Sequence, residues 1–210
     1  MSGIPLAALM AEKCSHNQSF VYAAFKLYQS YRIHSTLIVD LDPSQASDRL
    51  KASSHPHDHV VFAYTIVLAY AAIEELGLNV PASEKRRSRP RGEWNPDVRQ
   101  DLEKRLRRAG INVQEPIVWN LRGPASPLEN GRPTPPAGVP GWADGTNVRD
   151  QYVSIVDAIA DVSWLRSKVA AHKMSYLAKL LTPHDVSNAQ SVAQRLILEA
   201  SGILGIARRD

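Results

Sequence analysis

The chain has 210 residues, 44% hydrophobic and 22% charged, enough for one globular domain with an insertion or for two small domains. A single cysteine, Cys14, excludes an intramolecular disulfide framework, and no apolar run approaches the roughly 18 residues of a membrane span. The net charge of +4 is small and unevenly placed. The first residues, MSGIPLAALMAEKCSHNQ, lack a basic start and a long apolar stretch, so no secretory leader is read and a cytoplasmic location is expected.

Residues 17–32 place Phe20, Ala24, Leu27 and Tyr31 on one helical stripe. The β-branched continuation IHSTLIVDLDP is compatible with a longer helix or an extended segment. His55, His57 and His59 flank Pro56 and Asp58; clustered His and Asp suit a transition metal, but the same residues read as a helix start. Ser53 or Ser54 would cap it, Pro56 would open it, and Asp58 would favour the first-turn amides. The helix-start reading is preferred, with no metal assigned. Residues 58–77 are apolar nearly all round and end at Gly77, which predicts a buried central helix.

Between residues 84 and 110 ten Lys and Arg face five acids, so the pI of 9.3 reports one patch. Such a patch, including Arg86, Arg87 and Arg105, can attract phosphates; as a solvated face it would be neutralised by acids at i±4. Asn95-Pro96-Asp97 predicts a helix start, Val98, Leu102 and Leu106 its apolar stripe, and Gly110 its stop. Residues 112–145 carry seven of the 14 prolines and five of the 11 glycines, which predicts mostly loop. Thr146 is expected to cap a helix with the stripe Val148, Tyr152, Ile155, Ile159, Val162. A last helix is predicted from Pro183-His184-Asp185 through Val192, Leu196, Ile197 and Leu204. The sum is an all-α bundle, a single domain over 1–210. A basic helix and Pro/Gly-rich loop over 81–146 is inserted between its second and third long helices.

Arg166 and His172 enclose five residues; the same Arg-to-His distance recurs from Arg49 to His55, and context separates the two. Arg49 lies in a polar, serine-rich stretch, whereas Arg166 extends the stripe of the preceding helix by one turn. A guanidinium aimed toward a core or interface needs a partner, either a phosphate or a facing carboxylate. Six α-helical steps rotate about 600° and leave two side chains roughly 120° apart, about 9 Å along the axis. Either the helix breaks between the two residues, or a second subunit completes the site.

The Arg166–His172 segment resembles the Arg-x(4–6)-His motif of the HEPN superfamily, and AYAAIEELGL, with Glu74 and Glu75, is similar to the second helix of many members. The resemblance spans roughly residues 17–78 and 147–205. It implies a HEPN-like helical bundle that pairs two motifs across a homodimer groove. It further implies a metal-independent endoribonuclease without cofactor, acting on RNA as a toxin or defence effector. Ser167 departs from the Asn, Asp or His that many members carry after the arginine; it can hydrogen-bond but brings no charge.

These residue types suit cleavage by a ribose 2′-hydroxyl. A neutral imidazole near its ordinary pKa moves protons, and an arginine stabilises charge growing on phosphate oxygens. His172 is therefore assigned as base or acid, Arg166 as phosphate clamp and Ser167 as an orienting group, with Lys173, Arg86, Arg87 and Arg105 attracting substrate. An antitoxin or regulatory partner is left open, and no membrane is involved. The alternative readings are a non-catalytic HEPN-fold protein that binds nucleotide, RNA or a partner protein, and an unrelated helical nucleic-acid-binding module.

Overall fold

The computed structural model describes residues 17–39, 56–80, 94–122, 148–170 and 181–202. Of these, 75% are helical, which is consistent with the all-α expectation, and one two-stranded sheet accompanies the helices. The elements run α1 (Gln18–Val39), α2 (Pro56–Glu75), α3 (Pro96–Arg108), β1 (Ile117–Arg122), β2 (Val148–Val153), α4 (Ile155–Trp164), a π-helical segment (Leu165–Ala170) and α5 (Pro183–Ala200). No helix among the described residues is long and apolar enough to cross a membrane.

Helix α1 continues through Val39, so the β-branched tail prolongs it. Its buried stripe is Phe20, Ala23, Leu27 and Ser30, rotated slightly from the expected Phe20, Ala24, Leu27, Tyr31. Tyr31 keeps its hydroxyl at the surface, where it donates to Gln194 Oε1 at 3.0 Å. Helix α2 starts at Pro56 with Asp58 in its first turn, as the helix-start reading expected, and is buried along most of its length. It ends where predicted: Gly77 adopts φ +67°, Gly77 N–H donates to Glu74 O and Leu78 N–H to Ile73 O. That left-handed position suits glycine, and the paired bonds satisfy the last carbonyls.

Helix α3 opens on Asn95, whose side chain accepts from Asp97 N–H at 3.0 Å, and closes at Gly110 with the same pair of bonds. Leu102, Leu106, Ile111 and Trp119 are fully or almost fully buried and continuous with the core of α2, α4 and α5. The inserted segment is thus partly core. Two corrections concern it. Ile117–Arg122, expected as loop, is a strand, paired antiparallel with Val148–Val153 in the register Ile117↔Val153 to Arg122↔Val148. Val148 and Tyr152 therefore belong to a strand, and helix α4 begins at Ile155, capped by Ser154. A six-residue window cannot separate the two periods, and pairing with a distant strand decides. The outer edge of β1 is closed by α5: Asn120 N–H donates to Asn188 Oδ1 and Asn188 Nδ2 to Asn120 O, both at 2.9 Å.

Helix α5 starts at Pro183 as predicted, with Asp185 accepting from both the backbone N–H and the hydroxyl of Thr182. It ends at Ala200; Leu204, like Ser53, Ser54, His55 and Thr146, lies outside the described residues. A polar seam joins α1, α2 and α5: Ser30 Oγ donates to Thr65 O and receives Gln190 Nε2. Beside it, His34 packs edge-on against Phe62 and hydrogen-bonds Gln190. Burial, only partly opposed by the Gln190 bond, pushes the His34 pKa below its usual value.

Candidate site around Arg166

Helix α4 is anchored at its start: Asp157 accepts from Ser154 Oγ and from Trp94 Nε1 at 2.8 Å. Its buried residues run from Ile155 to Ser163, and at Leu165 the chain passes into a π-helix that carries Arg166 and Ser167. A π turn bonds i to i+5, so the straight-helix arithmetic between Arg166 and His172 does not hold here. The π-helix is continuous through Ala170, so the described residues hold no break after Arg166. His172 and Lys173 themselves lie outside the described residues, as do Arg86 and Arg87.

Arg166 has a facing carboxylate, one of the two kinds of partner the sequence left open. Its Nη2 lies 3.9 Å from Glu74 Oε1 near the end of α2, with both side chains about one third exposed. The guanidinium also stands 5.9 Å from the ring centroid of Tyr70, one turn before Glu74. Tyr70 is 2% exposed; its hydroxyl donates to Val80 O and shares a hydrogen bond with Ser163. Burial above all raises its pKa, aided by the Glu74 charge and opposed by the Ser163 and Val80 bonds and by Arg166. Tyr70 is therefore a protonated, fixed platform beneath a charged group. An exposed ion pair contributes only about 0–1 kcal/mol, so Arg166 is steered without being locked. Ser167 follows it, half-buried.

Two other arginines show the contrast. Arg195 in α5 spends its guanidinium on Glu199 Oε1, Pro116 O and Asn112 O. Arg105, assigned to substrate attraction, donates to Gly77 O and Asn79 O and pairs with Asp101, so it fastens α3 to the turn after α2. On the same helix Arg99 and Arg107 pair with Glu103, whereas Lys104 and Arg108 face solvent.

The histidines near residue 57 diverge: His57 is exposed beside Asp58, while His59, two residues on, is buried. No group of three metal-ligating side chains occurs among the described residues. Tyr70 was missed by sequence reasoning, and Glu74 was noted without a role; their i,i+4 spacing at the end of an apolar helix was the available signal. No protein-family model, curated protein or solved structure matches the chain.

Proposed function

We propose that this protein is a metal-independent endoribonuclease of HEPN type, working as a homodimer, with Arg166 and His172 as its chemical groups. The 2′-oxygen of a ribose forms a bond to the adjacent phosphorus while the bond from phosphorus to the 5′-oxygen breaks. His172 serves one of the two proton transfers, taking the 2′-hydroxyl proton or supplying the leaving oxygen with one. Arg166 clamps the phosphate, Ser167 orients it, and Lys173 with the basic residues Arg86 and Arg87 draws RNA in. A toxin or defence role is the setting that fits such an activity.

The observation that supports the reading is the condition of Arg166: charged, partly exposed, stacked over a buried tyrosine and held by one carboxylate at 3.9 Å. A hydrogen bond to a charged group contributes about 1.5–3 kcal/mol, more than the exposed pair with Glu74. A phosphate can therefore displace that carboxylate, whereas the multiply bonded Arg195 has no such freedom.

The test is RNA cleavage in EDTA with analysis of the ends. The expected products carry a 2′,3′-cyclic phosphate and a 5′-hydroxyl, a single 2′-O-methyl at the scission site blocks cutting there, and DNA stays intact. Activity lost in EDTA and regained with zinc would overturn the mechanism. RNA that is bound but never cut would favour the non-catalytic reading.

A further inference from the structure

Strand β1 pairs with β2 along one edge, and α5 lies along the other. Asn120 gives both its N–H and its carbonyl to the side-chain amide of Asn188 on α5, at 2.9 Å each. In an antiparallel pair, residues alternate between exchanging hydrogen bonds with the partner strand and turning them away from it. Asn120 turns them away, so Val118, two residues earlier and opposite Tyr152, does the same. Pro116, just before the strand, sends its carbonyl to Arg195 Nη1 at 2.8 Å. Helix α5 thus fills this edge on either side of Val118 and leaves the Val118 N–H and carbonyl open. Neither has a partner among the described residues. A cleft of about 380 Å³ lies at this point between β1 and α5, with Val118, Ser191 and Leu198 in its lining and Val118 45% exposed.

We infer that this cleft binds a small, neutral, planar molecule through a carboxamide-type edge, an acceptor beside an N–H donor. The chain itself shows the pairing, because the Asn188 carboxamide makes it with Asn120, the next outward-facing residue. A ligand on Val118 repeats it: the ligand's acceptor takes the Val118 N–H, and its N–H donates to the Val118 carbonyl. Primary carboxamides, cyclic amides and the hydrogen-bonding edges of nucleobases share this arrangement. An added peptide strand fits less well, since it needs a run of open backbone groups, and those of Pro116 and Asn120 are taken. Charge disfavours an anion. Arg195, the cation in the lining, is spent on Glu199, Pro116 O and Asn112 O, and Glu115 adds an acid to the wall. The volume is near the lower end for small-molecule pockets, and Pro116 and Leu198 offer apolar wall to a ring.

The inference stands on the β1–α5 edge and holds whether or not Arg166 serves RNA cleavage. The experiment is an NMR titration of the isotope-labelled full chain with nicotinamide, pyridone, adenosine and uridine. N,N-dimethylnicotinamide is the control, since it keeps the ring and the acceptor but has no N–H. Saturable shifts of the Val118 and Asn120 amides are expected with nicotinamide at roughly millimolar concentration. A neutral hydrogen bond changes affinity by about 2–10-fold, so the dimethyl control should bind at least about threefold more weakly. Val118→Pro removes the N–H at an edge position that tolerates proline, and Ser191→Trp fills the cleft from α5. Each should weaken nicotinamide binding at least about fivefold, read on the Asn120 amide, with the rest of the spectrum showing the fold intact. Should Val118→Pro fail to fold, Ser191→Trp decides alone. Adenosine or uridine binding more tightly than nicotinamide would uphold the site and name a nucleobase as its ligand; the reverse order would uphold it for a free carboxamide. The inference is overturned if no amide probe shifts Val118 at about 10 mM, if the dimethyl control binds as well as nicotinamide, or if Ser191→Trp binds like wild type.

Discussion

Replacing Arg105 by alanine separates a structural role from a role in attracting RNA. Its side chain is one quarter exposed, donates to the carbonyls of Gly77 and Asn79, and pairs with Asp101 one turn away. Those carbonyls lie just past the end of α2. Each hydrogen bond from a charged donor contributes about 1.5–3 kcal/mol, reduced here by partial exposure, and the i,i+4 pair about 0.3–0.5. The expected loss is about 2–4 kcal/mol. In a chain of this size that lowers the midpoint of thermal unfolding by roughly 4–16 °C. Lys104→Ala, one residue away and facing solvent, should stay within about 0.5 kcal/mol of wild type. Urea unfolding followed by circular dichroism measures both. An Arg105→Ala protein as stable as Lys104→Ala would refute the reasoning and return Arg105 to the patch that draws RNA.

His34 carries a pH signature. Its folded pKa is depressed by burial, so the unfolded chain binds more protons as pH falls below about 6.5, and the stability present above that value is progressively lost. Stability measured from about pH 7 to pH 5 should therefore fall less in His34→Gln than in wild type; parallel slopes would remove His34 as the cause. Leu106→Ala should cost about 2–5 kcal/mol, because Leu106 has no exposure and belongs to the common core; a loss below about 1 kcal/mol would mean that α3 packs loosely.

Helix ends were legible because they depend on local chemistry: Pro56 with Asp58, Asn95-Pro96-Asp97 and Pro183 start helices, and Gly77 and Gly110 stop them with positive φ. The strands were not, since Val148–Val153 becomes a strand only through Ile117–Arg122, some thirty residues earlier. Within the candidate site, the need of Arg166 for a partner, phosphate or carboxylate, was legible from its place on the stripe, and Glu74 is the carboxylate that stands beside it. The Tyr70 platform was hidden, because an aromatic in an apolar helix looks the same whether or not a cation sits above it. Charge counting also overstated the basic helix, where Arg99, Arg105 and Arg107 turn to acids on their own helix.

The most direct test of the central claim is single-turnover cleavage of one end-labelled RNA, in EDTA, by wild type and by His172→Ala at matched fold and oligomeric state. General acid–base help of this kind contributes about 10²–10⁴-fold, so the variant should lose at least two orders of magnitude in rate while still binding RNA. A His172→Ala protein that cuts at the wild-type rate would contradict the account.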